Sequence, residues 1–255
     1  PDGESVTVTA RGRYVTAFPH DRRRVEYQVP VGYQARSAVP SGDGESIYVI
    51  MDGGTRGEIW SIPADGSGPG EALTEGSEVY IWEVIASPHD ASLFYTDKRG
   101  RLFYLDPEEG GPVLVDTPES SNDQGFGDFN WSSDGRYVAY LMGDSRDIAQ
   151  IAVYDTETGE RDVMTTGRFD SHAPAFSQDN AWLYFVSNRN FDATPGSPWG
   201  DRNMGPSFSD RGLIYALQLD PEADFPFQRP DELSASDEDE SDADEDEDES
   251  EEDEE

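Results

Sequence analysis

The chain has 255 residues with a formal net charge of −37, no cysteine and hydrophobic residues making up 35% of the sequence. That length suffices for one large core, the missing thiols exclude disulfide and thiol chemistry, and no apolar run is long enough to span a membrane as a helix. With no basic stripe to neutralise phosphates, nucleic-acid binding is not expected.

Five small turn motifs punctuate the chain: Pro1-Asp2-Gly3, Ser41-Gly42-Asp43-Gly44, Ser87-Pro88-His89-Asp90, Ser132-Ser133-Asp134-Gly135 and Ser177-Gln178-Asp179-Asn180. The last four begin 46, 45 and 45 residues apart. A period of ~40–50 residues built from strand-like runs and Asp/Gly turns is what one propeller blade leaves in a sequence.

After each turn comes a run rich in β-branched and aromatic residues: Val6 to Ala10, Ile47 to Ile50, Leu93 to Tyr95, Tyr137 to Leu141 and Leu183 to Val186. Such residues suit a pleated, buried surface. A second run follows each, starting near Arg13, Glu58, Arg101, Gln150 and Leu213, and four of these are introduced by Arg-Gly. Glycine there permits the positive φ of a tight hairpin. Third, more polar runs (Glu71 to Thr74, Pro112 to Asp116, Arg161 to Thr165) suit outer strands meeting solvent. A short strand before each turn, as in Trp82-Glu83-Val84-Ile85 and Phe129-Asn130-Trp131, completes four per blade. No helix of more than a turn or two is predicted. The expected fold is therefore all-β, a β-propeller of four-stranded blades. The competing reading is a β-sandwich of unrelated hairpins, which the constant spacing disfavours.

The expected blades lie near residues 1–34, 35–79, 80–125, 126–169 and 170–228, followed over 229–255 by an acidic linker or tail. Residues 231–255 carry 18 acidic side chains and no basic one, roughly half of the net charge. Such a segment repels itself and cannot bury enough apolar surface to fold. The preceding body is acidic too, with Lys98 the sole lysine against seventeen arginines. A surface of that kind suits strong salt, where self-repulsion is screened, and suggests a halophilic source. Because the sequence opens inside a turn motif without methionine, it reads as a piece of a longer polypeptide.

Catalytic constellations are not found. His20, His89 and His172 have no Ser, Cys or acid at diagnostic spacing, and no serine elbow, zinc motif or phosphate loop occurs. No catalytic residue, metal or cofactor is expected. Asp97, Asp144 and Asp155 close strands where aspartate ties down backbone amides, a structural reading. The insertion between Asn190 and Asp210 interrupts the fifth repeat and is either a contact surface for another domain or ligand or a tolerated surface excursion. A propeller surrounds an axial channel lined by the innermost strand of each blade. Arg36, Glu83, Asp128 and His172 are the candidate channel residues, although alternation alone does not decide which neighbour points inward.

The stretches Phe176-Ser177-Gln178-Asp179, Leu183 to Phe191, Leu213 to Leu219 and Phe225-Pro226-Phe227 resemble the closing part of a tricorn protease propeller. Thr9-Ala10-Arg11-Gly12-Arg13, Trp60-Ser61-Ile62-Pro63-Ala64 and Asn130 to Tyr140 resemble earlier blades. The resemblance covers residues 1–228. It implies a large serine peptidase of the S41 type, with a six-bladed and a seven-bladed propeller followed by helical, PDZ and catalytic domains. These residues would then be five blades of the seven-bladed ring, guiding or sieving peptides toward a proteolytic domain elsewhere. Peptide substrates, a homo-oligomer (a hexamer in that family) and a cytoplasmic location are implied, with periplasmic or secreted location left open. None of the family's catalytic positions is present in this chain. The acidic tail is longer than the family's usual connection, which leaves the downstream continuation open. The alternatives are a TolB-like or WD40-like scaffold for protein–protein interaction, and the gating propeller of a prolyl-oligopeptidase-like enzyme.

Overall fold

The computed structural model describes residues 5–19, 23–54, 56–119, 125–146, 148–189 and 212–227. The turn at Pro1-Asp2-Gly3, the insertion from Asn190 to Asp210 and the acidic stretch beyond residue 227 lie outside the described residues. The chain divides into two units, Pro1–Leu219 and Asp220–Glu255. In the second, Asp220 accepts the Glu222 and Ala223 amides, and the rings of Phe225 and Phe227 meet edge to face.

Among its described residues the first unit holds eighteen strands and no helix. The first sheet contains β1 (Val6–Ala10), β2 (Arg13–Ala17) and β3 (Val25–Glu26). Next come β4 (Gln34–Pro40), β5 (Ser46–Asp52), β6 (Glu58–Pro63) and β7 (Glu71–Ala72). The third sheet is β8 (Ile81–Ala86), β9 (Leu93–Asp97), β10 (Leu102–Leu105) and β11 (Val113–Asp116). The fourth is β12 (Gly127–Trp131), β13 (Tyr137–Gly143), β14 (Ala149–Asp155) and β15 (Arg161–Val163), and the last is β16 (Ser171–Phe176), β17 (Trp182–Ser187) and β18 (Leu213–Gln218). Within every sheet each strand pairs with its chain neighbour, so all five are simple meanders. Three sheets have four strands and two have three among the described residues.

The core explains the succession of sheets. Strand β5 alternates in the usual way, but both of its faces are buried. Ile47, Val49 and Met51 pack with Tyr14 and Tyr27 of the preceding sheet. Tyr48 and Ile50 pack with Ile81, Val84, Leu93 and Tyr95 of the following one. Phe94 then turns to Val138, Tyr140 and Met142, and Ala139 turns to Leu183 and Phe185. Four clusters thus join five sheets face to face in chain order. Burial pushes the Tyr95 and Tyr104 hydroxyls up to about 12.

The turn motifs are closed by their own side chains. Ser132 Oγ donates to Asp134 Oδ1 at 2.5 Å, Asp134 Oδ1 accepts the Arg136 amide, and Ser132 Oγ accepts the Tyr137 amide at 2.8 Å. Ser41 with Asp43 and Ser177 with Asp179 repeat this. In the third motif His89 stands where the others have aspartate, and Asp90 instead accepts the amide and hydroxyl of Ser92. Successive turns touch. The Gly42 amide donates to Asp90 O at 3.1 Å, and a Cβ on Gly42 would lie 2.5 Å from the backbone around Pro88, so only glycine fits. Asp97 and Asp144 each gather two backbone amides and an arginine, as expected for strand-closing aspartates.

Leu93 is fully buried between the second and third sheets. Leu93→Ala is expected to cost about 2–5 kcal/mol in urea unfolding, whereas Val113→Ala, on the exposed outer strand, should change stability by less than about 0.5 kcal/mol. The carboxyls of Asp134 and Asp179 are held below the usual range by the Ser132 and Ser177 hydroxyls. Asp155 is held down by Arg136, and Asp144 by the Ile148 amide with help from Arg146. Their contribution is complete above the unfolded value of about 3.9 and disappears as pH falls through the lowered folded values. In 1 M salt, with repulsion screened, stability should therefore fall from about pH 4 downward. Ser132→Ala with Ser177→Ala should flatten that acid limb while leaving the pH dependence above about pH 5 unchanged.

Candidate functional site

The first strands of the sheets, β4, β8, β12 and β16, form one edge of each meander. β4 lies against β8, and β12 against β16. All four carry a one-residue bulge against their partners. The register slips between Arg36 and Val39, Ile81 and Glu83, Gly127 and Asn130, and His172 and Ala175. Ser37, Asp128 and Ala173 occupy the left-handed region at φ 52°, 49° and 52°, and Trp82 stands at the same step of the repeat. A bulge bends its strand and re-aims side chains, and it recurs at functional edges.

The four sequence-predicted residues sit at three different steps of this bulge. Arg36 and His172 precede it, Asp128 is in it and Glu83 follows it. Their chemistry differs accordingly. Arg36 donates from Nη1 to Trp82 O at 3.0 Å and from Nη2 to Ile81 O, with its guanidinium 4.2 Å from the centre of the Tyr80 ring. Its Nε is buried without a partner. Asp128 Oδ2 accepts the Ala173 amide at 3.1 Å. Both side chains therefore reach a neighbouring sheet. Asn130 and Thr9 do the same, accepting the Phe176 and Ala38 amides. His172 is half-buried on β16.

Glu83 is different. It is exposed and lines a cleft of about 480 Å³ together with Trp82, Thr96, Asp97, Lys98 and Phe126. Trp82 keeps 59% of its surface exposed. Asp97 is already occupied by Arg101, at 2.6 Å, and by backbone amides. The Lys98 ammonium rests 5.3 Å from the Tyr80 ring centre. The cleft thus offers an exposed indole, the ring of Phe126 and, in Glu83, a carboxylate with no hydrogen-bond or ion-pair partner among the described residues. Trp82, Lys98 and Phe126 were not read as site residues from the sequence. Superposing the repeats would have flagged Trp82, because the equivalent positions hold Ser37, Asp128 and Ala173. Among the described residues no three His, Asp or Glu side chains gather as ligands for a metal ion.

A family model described as the tricorn protease second beta propeller domain matches residues 1–255. The tricorn protease of Thermoplasma acidophilum is 26% identical over 201 residues, 76% of this chain and 18% of that protein. Tricorn protease homolog 1 of Streptomyces coelicolor is 25% identical over 59% of this chain and 14% of its own length. The chain therefore spans less than a fifth of these curated relatives. A crystal structure of the tricorn protease superposes with a TM-score of 0.69 at 21% identity, covering 88% of this chain and 21% of that one. An oligogalacturonate lyase in complex with manganese superposes with a TM-score of 0.56 at 14% identity over 78% of this chain and 58% of its own, a likeness of fold alone.

The different engagement of Arg36 and Glu83 is measurable. Arg36→Met should cost about 1.5–3 kcal/mol, because two carbonyls of the β8 bulge lose a charged donor. Glu83→Gln should leave the thermal midpoint unchanged, since that side chain is exposed and bonds to nothing among the described residues. Equal losses in the two variants would contradict this assignment.

Proposed function

This chain belongs to the family of tricorn protease second β-propeller domains, and from that premise we propose that it guides or sieves extended peptides toward a proteolytic domain elsewhere in the parent protein. The five sheets are five blades of a seven-bladed ring, over residues 1–228, and the acidic segment from 229 onward is a linker or tail. The parent is a serine peptidase of the S41 type, a homo-oligomer of hexameric form, working in the cytoplasm of a salt-loving organism.

The observation that carries this reading is the row of inner strands, each bulged at the same step and each beginning its blade. A ring of rigid sheets around such strands has a fixed aperture, which admits an extended chain and turns away a folded one. Arg36, Glu83, Asp128 and His172 stand at that inner edge. Arg36 and Asp128 set its shape through their neighbours, and Glu83 stays open to a passing chain. The curated relatives are named proteases and are several times longer than this chain, which supports placing catalysis outside these residues.

The test uses the parent protein. Ala175 is a small, exposed residue of the inner strand β16. Ala175→Trp is expected to slow hydrolysis of peptides of ten or more residues several-fold while sparing a blocked dipeptide reporter. The isolated 255-residue chain should hydrolyse neither. Equal slowing of both substrates, or titratable hydrolysis by the isolated chain, would overturn the reading.

A further inference from the structure

The geometry points to the cleft between β8 and the start of β12 as a recognition site for an arginine side chain on an extended peptide, with an apolar residue beside it. This rests on the peptide-guiding reading and names the substrate class it favours. Three observations carry it.

First, Trp82 and Glu83 are consecutive in a strand, where neighbours ordinarily face opposite sides. The bulge between Ile81 and Glu83 re-aims them, and both reach the same cleft. Second, the chemistry of the lining is unfinished. An indole with 59% of its surface in water is a large apolar area without cover, and the other blades hold only Ser37, Asp128 and Ala173 at its position. Glu83 has no hydrogen-bond or ion-pair partner among the described residues, whereas Asp97, the cleft's other carboxylate, is consumed by Arg101. Lys98, the cleft's own cation, lies over Tyr80 and forms no ion pair among the described residues. Third, about 480 Å³ accommodates two side chains and falls within the ~300–1,000 Å³ of ordinary ligand clefts.

A guanidinium completes this set better than any other side chain. Its planar fork matches a carboxylate in two parallel hydrogen bonds, and its face stacks on an indole. An ammonium satisfies only the charge. A carboxylate on the peptide would meet Glu83 and the field of a chain carrying −37. In this arrangement Glu83 accepts from the arginine, Trp82 covers its stem and flat face, and Phe126 receives the apolar neighbour.

The experiment titrates the 255-residue chain calorimetrically with the blocked peptide acetyl-Ala-Phe-Arg-Ala-amide and with its counterpart carrying Glu in place of Arg. The Arg peptide is expected to bind at least tenfold more tightly than the Glu peptide. Glu83→Gln should weaken it about tenfold, the loss of one charge-assisted pair. Trp82→Ala should weaken it by a similar factor, with unchanged thermal midpoints establishing that both variants fold. Equal binding of the two peptides, binding of the Arg peptide that neither substitution alters, or binding of neither peptide would each overturn the cleft assignment. None of these outcomes bears on peptide guidance, which the Ala175→Trp length dependence decides at another strand.

Discussion

The structure depends on the second strands of the three middle sheets, β5, β9 and β13, being buried on both faces. A strand with one wet face can end a fold, but β5, β9 and β13 present apolar side chains to both sides, and each side must be covered by a further sheet. Ile47, Val49 and Met51 look one way along the series while Tyr48 and Ile50 look the other. The same division recurs at Phe94 against Leu93 and at Ala139 against Tyr140. Pairwise packing of this kind makes stability a matter of nearest-neighbour interfaces. It also fixes the direction of succession, because the odd and even residues of one strand serve different neighbours.

Polar contacts reinforce the same succession at the outer edge and at the turns. Asp116, ending β11, accepts from Arg161 Nε at 2.7 Å and from the Tyr140 hydroxyl at 2.9 Å, so the outer strands of two blades are locked through one carboxylate. Burial, with Asp116 beside it, pushes the Tyr140 hydroxyl well above its ordinary value, which keeps it a donor. At the turns, Gly42 meets Asp90, the His89 ring lies against Gly135, and the Ser133 amide donates to Asn180 at 2.8 Å. The residues that close each hairpin therefore also space the blades.

Much of this was legible in the sequence because it is local. A Ser–Asp pair two residues apart needs only its own turn to form its hydrogen bonds, so the period survives as a readable motif. Double burial likewise shows as an unbroken apolar run. The outer strands were harder to bound: β7 spans only Glu71–Ala72, too short for alternation to register. The inner strands were legible as strands but not in their register. The residues taking left-handed geometry are Ser37, Asp128 and Ala173, none of them the glycine that announces such a conformation. One extra residue shifts everything after it, so Arg36, Glu83, Asp128 and His172, named without knowledge of that residue, fall at unlike steps. The cleft was invisible for another reason. Trp82 and Phe126 come together only after one whole blade has intervened, and no local pattern encodes that distance.

The bulges also account for the ties that cross between inner strands. A bulged residue leaves the ladder, so its amide and carbonyl lose their in-sheet partners, and a left-handed Ser, Asp or Ala costs about 1–3 kcal/mol besides. The preceding blade supplies the missing partners in three cases. Thr9 accepts the Ala38 amide, Arg36 donates to the carbonyls of Ile81 and Trp82, and Asp128 accepts the Ala173 amide. Each tie runs forward along the chain, from one sheet to the bulge of the next. Local strain and ring order are then one device: a bulge is tolerable only where a neighbour stands ready, and the neighbour's reach is what holds the bulge in shape. Glu83 lies beside a bulge whose carbonyls accept from an arginine, where the bulges of β4 and β16 instead have an amide donating to a neighbour. The positive charge of Arg36 is turned to the backbone there, and the carboxylate of Glu83 has no ion-pair partner among the described residues.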